Sequence, residues 1–158
     1  MFALARAVVY ATLFIGLVLV FVPARVLAWS GIIRPTTLGL PQVLGLVLGG
    51  AGAALALWCI ATFAIAGRGT PAPFDPPRRL VVLGPYRVVR NPMYLGAALA
   101  LAAAALFYQS LALLAYTVVF ELVTHLFVIS YEEPTLRRIF GADYDGYCRR
   151  VFRWRPRL

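Results

Sequence analysis

The chain has 158 residues, of which 62% are hydrophobic, and its mean hydropathy is +0.83. So apolar a composition cannot cover a core with polar side chains, which excludes an ordinary soluble domain and indicates an integral membrane protein. The net charge of +9 comes from arginines that flank apolar segments. In a membrane protein such an excess sets the orientation of the chain in the bilayer and favours contact with anionic lipid headgroups. We expect no nucleic-acid binding.

Four apolar segments are candidates to cross the bilayer as helices, for which roughly 20 residues suffice. In chain order they are 7–28, 41–66, 93–107 and 110–130. Only Tyr108 and Gln109 separate the last two, which predicts a tight antiparallel hairpin with its outer ends together. The predicted fold is an all-α integral membrane protein with one membrane domain, 1–158, a cytoplasmic loop at 67–92 and a cytoplasmic tail at 131–158.

Arginine is unevenly distributed among the segments that join the predicted spans. Only Arg25, near the end of the first span, and Arg34 lie on the side between the first two spans, whereas five arginines lie in the loop 67–92 and seven in the tail 131–158. Because cytoplasmic segments carry the positive excess, we expect a multi-pass protein with both termini in the cytoplasm. A cleavable signal peptide is an alternative for the first span, but Arg25 at the candidate cleavage site argues against it.

The second span carries small residues at four-residue spacing. Gly45, Gly49 and Ala53 form a stripe that lets another helix approach closely. Packing within the chain is the preferred interpretation, and dimerisation is the alternative. The oligomeric state is not determined by this pattern.

The tail contains an amphipathic helical pattern. Its apolar face consists of Tyr144, Tyr147, Cys148 and Val151, with arginines off that face, so we expect a short helix lying on the membrane surface. Cys148 and Cys59 are far apart and belong to no CxxC or Cys/His cluster. We therefore expect free thiols and no metal site.

Charged residues stand at the start of the third span. A turn at Gly84-Pro85-Tyr86 brings Arg87 and Arg90 to the base of the span, and Asn91 followed by Pro92 predicts a helix N-cap. A helix start beside two arginines attracts anions. The alternative is that these residues only cap the helix and hold lipid phosphates.

Acidic residues stand at the other end of the hairpin. The run Ser130-Tyr131-Glu132-Glu133 matches a capping box and predicts a new helix. Capping explains one glutamate, but two adjacent carboxylates need a cation, donors or nearby arginines. Upstream, Glu121 and His125 are one turn apart, and ionisable residues inside a membrane helix indicate function. The alternative for them is a hydrogen-bonded pair between helices.

Four motifs follow one another over residues 84–156: Gly-Pro-Tyr-Arg-x-x-Arg-Asn-Pro-Met-Tyr-Leu-Gly, Glu-Glu-Pro-x-Leu, Phe-Gly-x-x-Tyr-x-x-Tyr and Val-x-Arg-x-x-Pro. This succession resembles the isoprenylcysteine carboxyl methyltransferase and phospholipid methyltransferase superfamily. The chain departs from the family's usual Arg-His-Pro at Asn91. An amide can donate and accept hydrogen bonds but cannot act as a base.

The resemblance implies a methyltransferase that binds S-adenosyl-L-methionine in a cytoplasm-facing pocket between the hairpin and the tail. The residues that this assigns to the cofactor are Arg90, Asn91, Pro92, Tyr94, Leu95, Gly96, Glu132 and Glu133. Carboxylates suit the ammonium and ribose hydroxyls of the cofactor, and an arginine suits its carboxylate. We propose Arg90, Glu132 and His125 as catalytic, and Arg87 and Glu121 as substrate-binding.

The acceptor implied by this architecture is lipophilic and reaches the site laterally from the bilayer. Transfer from a sulfonium needs alignment and exclusion of water but no metal or covalent nucleophile. We expect an isoprenylcysteine-type carboxylate undergoing O-methylation, with a phospholipid amine or a small thiol as alternatives. An amine would need a base, for which His125 and Glu121 are candidates. The rival class is a non-catalytic lipid-binding membrane protein.

Overall fold

The computed structural model describes residues 15–32, 35–63 and 79–157. In this part of the chain the structure is helical without β-strands, as predicted. The first residues of the predicted first span, the last residues of the second and residues 67–78 of the predicted loop at 67–92 lie outside the described residues. The helices are α1 at Ile15–Trp29, α2 at Leu40–Thr62, α3 at Pro92–Tyr108, α4 at Leu111–Phe140 and α5 at Ala142–Arg150, with a short 3-10 helix at Gly84–Arg87.

Two of these helices, α2 and α4, are long and apolar enough to cross a membrane, with 23 and 30 residues. The apolar helices α1 and α3 are shorter, and the four membrane spans stay a prediction. A helix as long as α4 extends about 45 Å, whereas the hydrocarbon core is about 30 Å thick. The charged residues from Glu132 to Arg138 lie at the C-terminal end of this length.

Helices α2 and α3 pack closely because glycines remove side chains at their contact. A Cβ on Gly52 would lie 2.7 Å from the carbonyl oxygen of Gly96, and one on Gly45 would lie 2.9 Å from the carbonyl oxygen of Ala103. The small-residue stripe thus packs within the chain, as the sequence favours. Of the three residues in the predicted stripe, Gly45 and Gly49 lie at this contact, whereas Ala53 is exposed.

The predicted tight hairpin joins α3 to α4. Gln109 takes a left-handed conformation with φ 49°, which reverses the chain in two residues. Ser110 then caps α4, because its hydroxyl oxygen accepts a hydrogen bond from the Leu113 amide at 3.2 Å. The hairpin brings the start of α3 beside the polar end of α4.

The predicted capping box at Ser130 is wrong, because α4 continues through this position. A π-helical turn occupies Val128–Glu132, and the Glu133 amide donates to the carbonyl of Val128, five residues back. Ser130 does not cap; its hydroxyl donates to the carbonyl of Leu126. The wider turn accommodates Pro134, which lacks an amide hydrogen, without ending the helix.

Helix α5 has the predicted amphipathic character, but its apolar face contacts protein. Tyr144, Tyr147 and Val151 are buried and pack against apolar residues of the loop and of α4: Leu80, Val82, Leu136 and Phe140. The Tyr147 hydroxyl donates to the carbonyl of Tyr86 at 2.6 Å. Burial raises the pKa of Tyr147, which keeps this donor neutral. The tail is thereby attached beside the start of α3.

Candidate functional site

The hairpin places the motif at the start of α3 against the two glutamates of α4. The Tyr94 hydroxyl donates to Glu132 Oε2 at 3.0 Å, and Arg90 Nη2 lies 3.3 Å from Glu133 Oε1. These groups are distant in sequence and meet only because the hairpin folds back. The π-helical turn lies at the same point, and such turns are frequent at functional sites.

Glu133 is the centre of a cluster of charged residues that the tail completes. Arg153 donates two hydrogen bonds to its carboxylate from one edge of the guanidinium, Nε to Oε1 at 2.7 Å and Nη2 to Oε2 at 2.8 Å. The hydrogen bond to Glu133 raises the pKa of Arg153, which stays charged. Side-chain exposures of only 12% for Arg90 and 10% for Glu133 show that the cluster is largely removed from solvent. We call these three residues the Arg90–Glu133–Arg153 cluster.

Two arginines share one carboxylate in this cluster, and Arg90 retains an unused donor. Its Nη1 donates to the sulfur of Cys148, while its Nε is buried and has no partner among the described residues. A buried donor without a partner costs about 1–3 kcal/mol and requires an explanation. An anionic ligand group at this position would satisfy it.

The tail lies across the start of α3 and is held by backbone and side-chain bonds. The backbone amide of Arg90 donates to the carbonyl of Phe152 at 2.9 Å, and Val89 and Phe152 form a single parallel β-bridge. Asn91 occupies the predicted N-cap, but its side chain caps nothing. Its amide instead donates to the carbonyl of Arg153 at 3.3 Å. Asn91 therefore positions the residue that binds Glu133.

A second bond joins the tail to α4 further along the helix. The Trp154 indole nitrogen donates to His125 Nδ1 at 3.0 Å. With that nitrogen accepting, a neutral imidazole carries its proton on the other nitrogen and has no free lone pair. The geometry thus favours a positioning role for His125, and its proposed role as a base stays a prediction.

Replacing Trp154 with phenylalanine tests this bond while keeping an aromatic ring. We expect the free energy of unfolding to fall by about 1 kcal/mol, because one side-chain hydrogen bond is lost and His125 Nδ1 is left without its donor. Unfolding of the purified protein in mixed micelles measures the change. The variant His125→Gln retains an acceptor and is expected to lose less. An unchanged stability in Trp154→Phe would show that the bond contributes nothing.

The other predicted site residues lie at different distances from this cluster. Pro92 is buried and Leu95 partly buried in the first turns of α3. The contact face of Gly96 is directed at α2, where a Cβ would lie 3.0 Å from the carbonyl oxygen of Gly52. Arg87 is exposed on the 3-10 helix, and Glu121 precedes Glu132 by about 16 Å along α4. Their proposed roles toward cofactor and acceptor stay predictions.

Three residues of the site were not among the predicted ones: Cys148, Arg153 and Trp154. Arg153 stood in the last sequence motif, so its type and position were visible. Its contact with Glu133 was not, because 20 residues separate the two partners. Cys148 was expected as a free thiol and is free, but it accepts a hydrogen bond from Arg90.

Fold and site together define a helical membrane protein that gathers arginine and glutamate side chains at one end of an apolar hairpin. A family model described as phospholipid methyltransferase matches residues 40–143, and the chain belongs to that family. The predicted superfamily, which includes this family, is thereby confirmed. No curated protein and no solved structure matches the chain. The family is one of membrane methyltransferases, which supports an enzyme.

Proposed function

We propose that the protein is an S-adenosyl-L-methionine-dependent methyltransferase acting on a lipophilic acceptor at the cytoplasmic boundary of the membrane. The observation that carries the proposal is the convergence of Tyr94–Glu132 and the Arg90–Glu133–Arg153 cluster at the open end of the hairpin. In this proposal both termini are cytoplasmic, so the soluble cofactor and the membrane-bound acceptor approach from different sides.

The residues present suit the cofactor. The unpartnered Nε of Arg90 can donate to its carboxylate, and Glu132 can accept from its ammonium or ribose hydroxyls. Asn91, Pro92, Tyr94 and Leu95 supply neighbouring polar and apolar contact at the start of α3. The cofactor, when bound, supplies an electrophilic methyl group on a sulfonium.

Each member of the cluster has a task in this proposal. Glu133 holds Arg90 in one orientation, and Arg153 shares the carboxylate so that it is neutralised. The tail, fixed through Asn91 and Trp154, covers the site and excludes water. Orientation and dehydration of the reacting groups are the main contributions that a protein makes to a displacement of this kind.

The bond between Trp154 and His125 favours an acceptor that needs no base. A carboxylate or thiolate is already nucleophilic, whereas a protonated amine must first lose a proton. With Nδ1 engaged, His125 is poorly suited to take it. We therefore propose an isoprenylcysteine-type carboxylate before a phospholipid amine, although the family match is to phospholipid methyltransferases.

Cofactor binding is tested by titrating the purified protein in detergent with S-adenosylhomocysteine. We expect saturable binding that Glu132→Gln weakens about tenfold, because a hydrogen bond to a charged group is worth roughly 1.5–3 kcal/mol. Glu121→Gln makes the same exchange on the same helix away from the site and is expected to leave binding unchanged. Absence of binding to the folded wild type would contradict the proposal.

The acceptor is tested by methyl transfer from labelled cofactor into a membrane extract. A label released by mild base is an ester, as expected for a carboxylate acceptor. A base-stable label on a lipid amine would contradict that acceptor and leave the methyltransferase proposal in place. The two parts of the proposal are therefore tested separately.

A further inference from the structure

A basic cleft lies on the side of α5 that faces away from the Arg90–Glu133–Arg153 cluster. Its volume is about 730 Å³. Cys148, on the inner face of α5, contacts Arg90, whereas the outer face lines the cleft. The described residues lining the cleft are Arg79, Leu80, Phe140, Ala142, Asp143, Gly146, Arg149 and Arg150.

Positive charge dominates this cleft. Arg79, Arg149 and Arg150 are exposed and form no ion pair with any described residue, and Asp143 is the one acidic residue in the lining that the structure describes. Arginines at the end of a helix are also expected from the helix dipole. The dipole does not explain Arg79, which comes from a separate segment and faces the same space. A cleft lined by three arginines suits a phosphate.

Apolar residues line part of the cleft, and exposed aliphatic residues adjoin that lining in the sequence. Leu80 and Phe140 line its wall and pack on the buried tyrosines of α5. Close by in the chain, Leu83 and Ile139 expose 52% and 46% of their surface. The bond from Tyr147 to Tyr86 holds α5 beside the start of α3, where the apolar helices end. Phosphate-binding arginines next to exposed aliphatic side chains match the boundary between headgroups and acyl chains.

We propose that this cleft binds the headgroup phosphate of an anionic phospholipid and so attaches α5 to the membrane surface. The excess of positive charge disfavours a zwitterionic headgroup, whose ammonium group it repels. The site is separate from the proposed methyl-transfer site and does not depend on it. A lipid bound here is a structural ligand and not the methyl acceptor.

Titration with phosphatidylglycerol tests this proposal on the full-length protein in neutral detergent. Native mass spectrometry counts the lipids retained on the folded protein. We expect saturable binding that R149Q/R150Q weakens about tenfold, because two of the three positive charges lining the cleft are removed. R149K/R150K keeps the charge and is expected to retain most of the binding. Arg79→Gln, outside any described helix, is expected to weaken binding by a smaller factor.

The matched control is R138Q/R155Q, which removes the same charge from exposed arginines outside the cleft. Unchanged binding in this control supports the proposal, and an equal loss would overturn it by showing a general effect of net charge. Equal retention of phosphatidylcholine would overturn selectivity for anionic lipid. Equal binding of glycerol phosphate would overturn the lipid as ligand, because free phosphate would then suffice.

Discussion

Replacing Glu133 with alanine is expected to lower the free energy of unfolding by about 3 kcal/mol, since breaking a buried ion pair leaves uncompensated charge. Arg90 and Arg153 would lose their common acceptor, whose side chain is only 10% exposed. The two nitrogens of Arg153 lie 2.7 and 2.8 Å from the carboxylate oxygens of Glu133. Two neighbouring guanidinium groups would then repel each other in a poorly hydrated site. Unfolding in mixed micelles of neutral detergent and dodecyl sulfate measures the loss.

The protein contains its own control for this experiment in the pair of Arg137 and Asp145. Their side chains are 53% and 42% exposed at a separation of 2.8 Å between Arg137 Nε and Asp145 Oδ1, so Asp145→Ala is expected to cost much less than Glu133→Ala. Glu133→Gln keeps the volume and removes the charge, and it is expected to resemble Glu133→Ala. Equal losses for Asp145→Ala and Glu133→Ala would contradict the central role of the buried cluster.

Replacing Gly52 with alanine is expected to destabilise the fold by about 3 kcal/mol, although alanine favours helices. A Cβ at this position would lie 2.7 Å from the carbonyl oxygen of Gly96 and 3.0 Å from the Ala100 nitrogen. Both are backbone atoms and cannot turn aside, so α2 and α3 must separate. Because Arg90 immediately precedes α3 and Tyr94 lies in its first turn, we also expect weaker binding of S-adenosylhomocysteine.

Gly50 provides the matched control for that substitution. It lies in the same helix, two residues away, and a Cβ there would have nothing within 4 Å. Gly50→Ala is therefore expected to leave stability unchanged or to raise it by up to about 1 kcal/mol. A destabilisation as large as that of Gly52→Ala would show that helix flexibility, and not close packing, accounts for the glycine.

The hairpin was predictable because its signals are local. The apolar runs on either side of Tyr108 and Gln109 leave room for nothing longer than a tight turn, and Gln109 adopts the left-handed conformation that such a turn needs. The helix boundary at Ser130 was mispredicted for a related reason. A capping box is a local signal too, but here a π-helical turn accommodates Pro134 and lets α4 continue.

The site was predictable only as two separate groups of residues. Arg90, Glu132 and Glu133 could be chosen because charged residues beside apolar spans are costly without partners. The pairing of arginines with glutamates could not be predicted, because the contact between Arg153 and Glu133 depends on how the tail folds back onto α4. The side chain of Asn91 shows the same limit, because it leaves its expected capping position to bind the carbonyl of Arg153.

The sequence by itself determined the membrane class, the all-helical fold, the tight hairpin and the superfamily, because apolar length, turn residues and motif order are properties of neighbouring residues. Only the tertiary structure decided that the tail completes the charged cluster and that His125 accepts a hydrogen bond from Trp154. It also decided that three arginines line a cleft outside the cluster. These are contacts between segments far apart in the chain, and they depend on how the helices pack. Glycines such as Gly52 contribute to that packing because they let α2 and α3 approach closely.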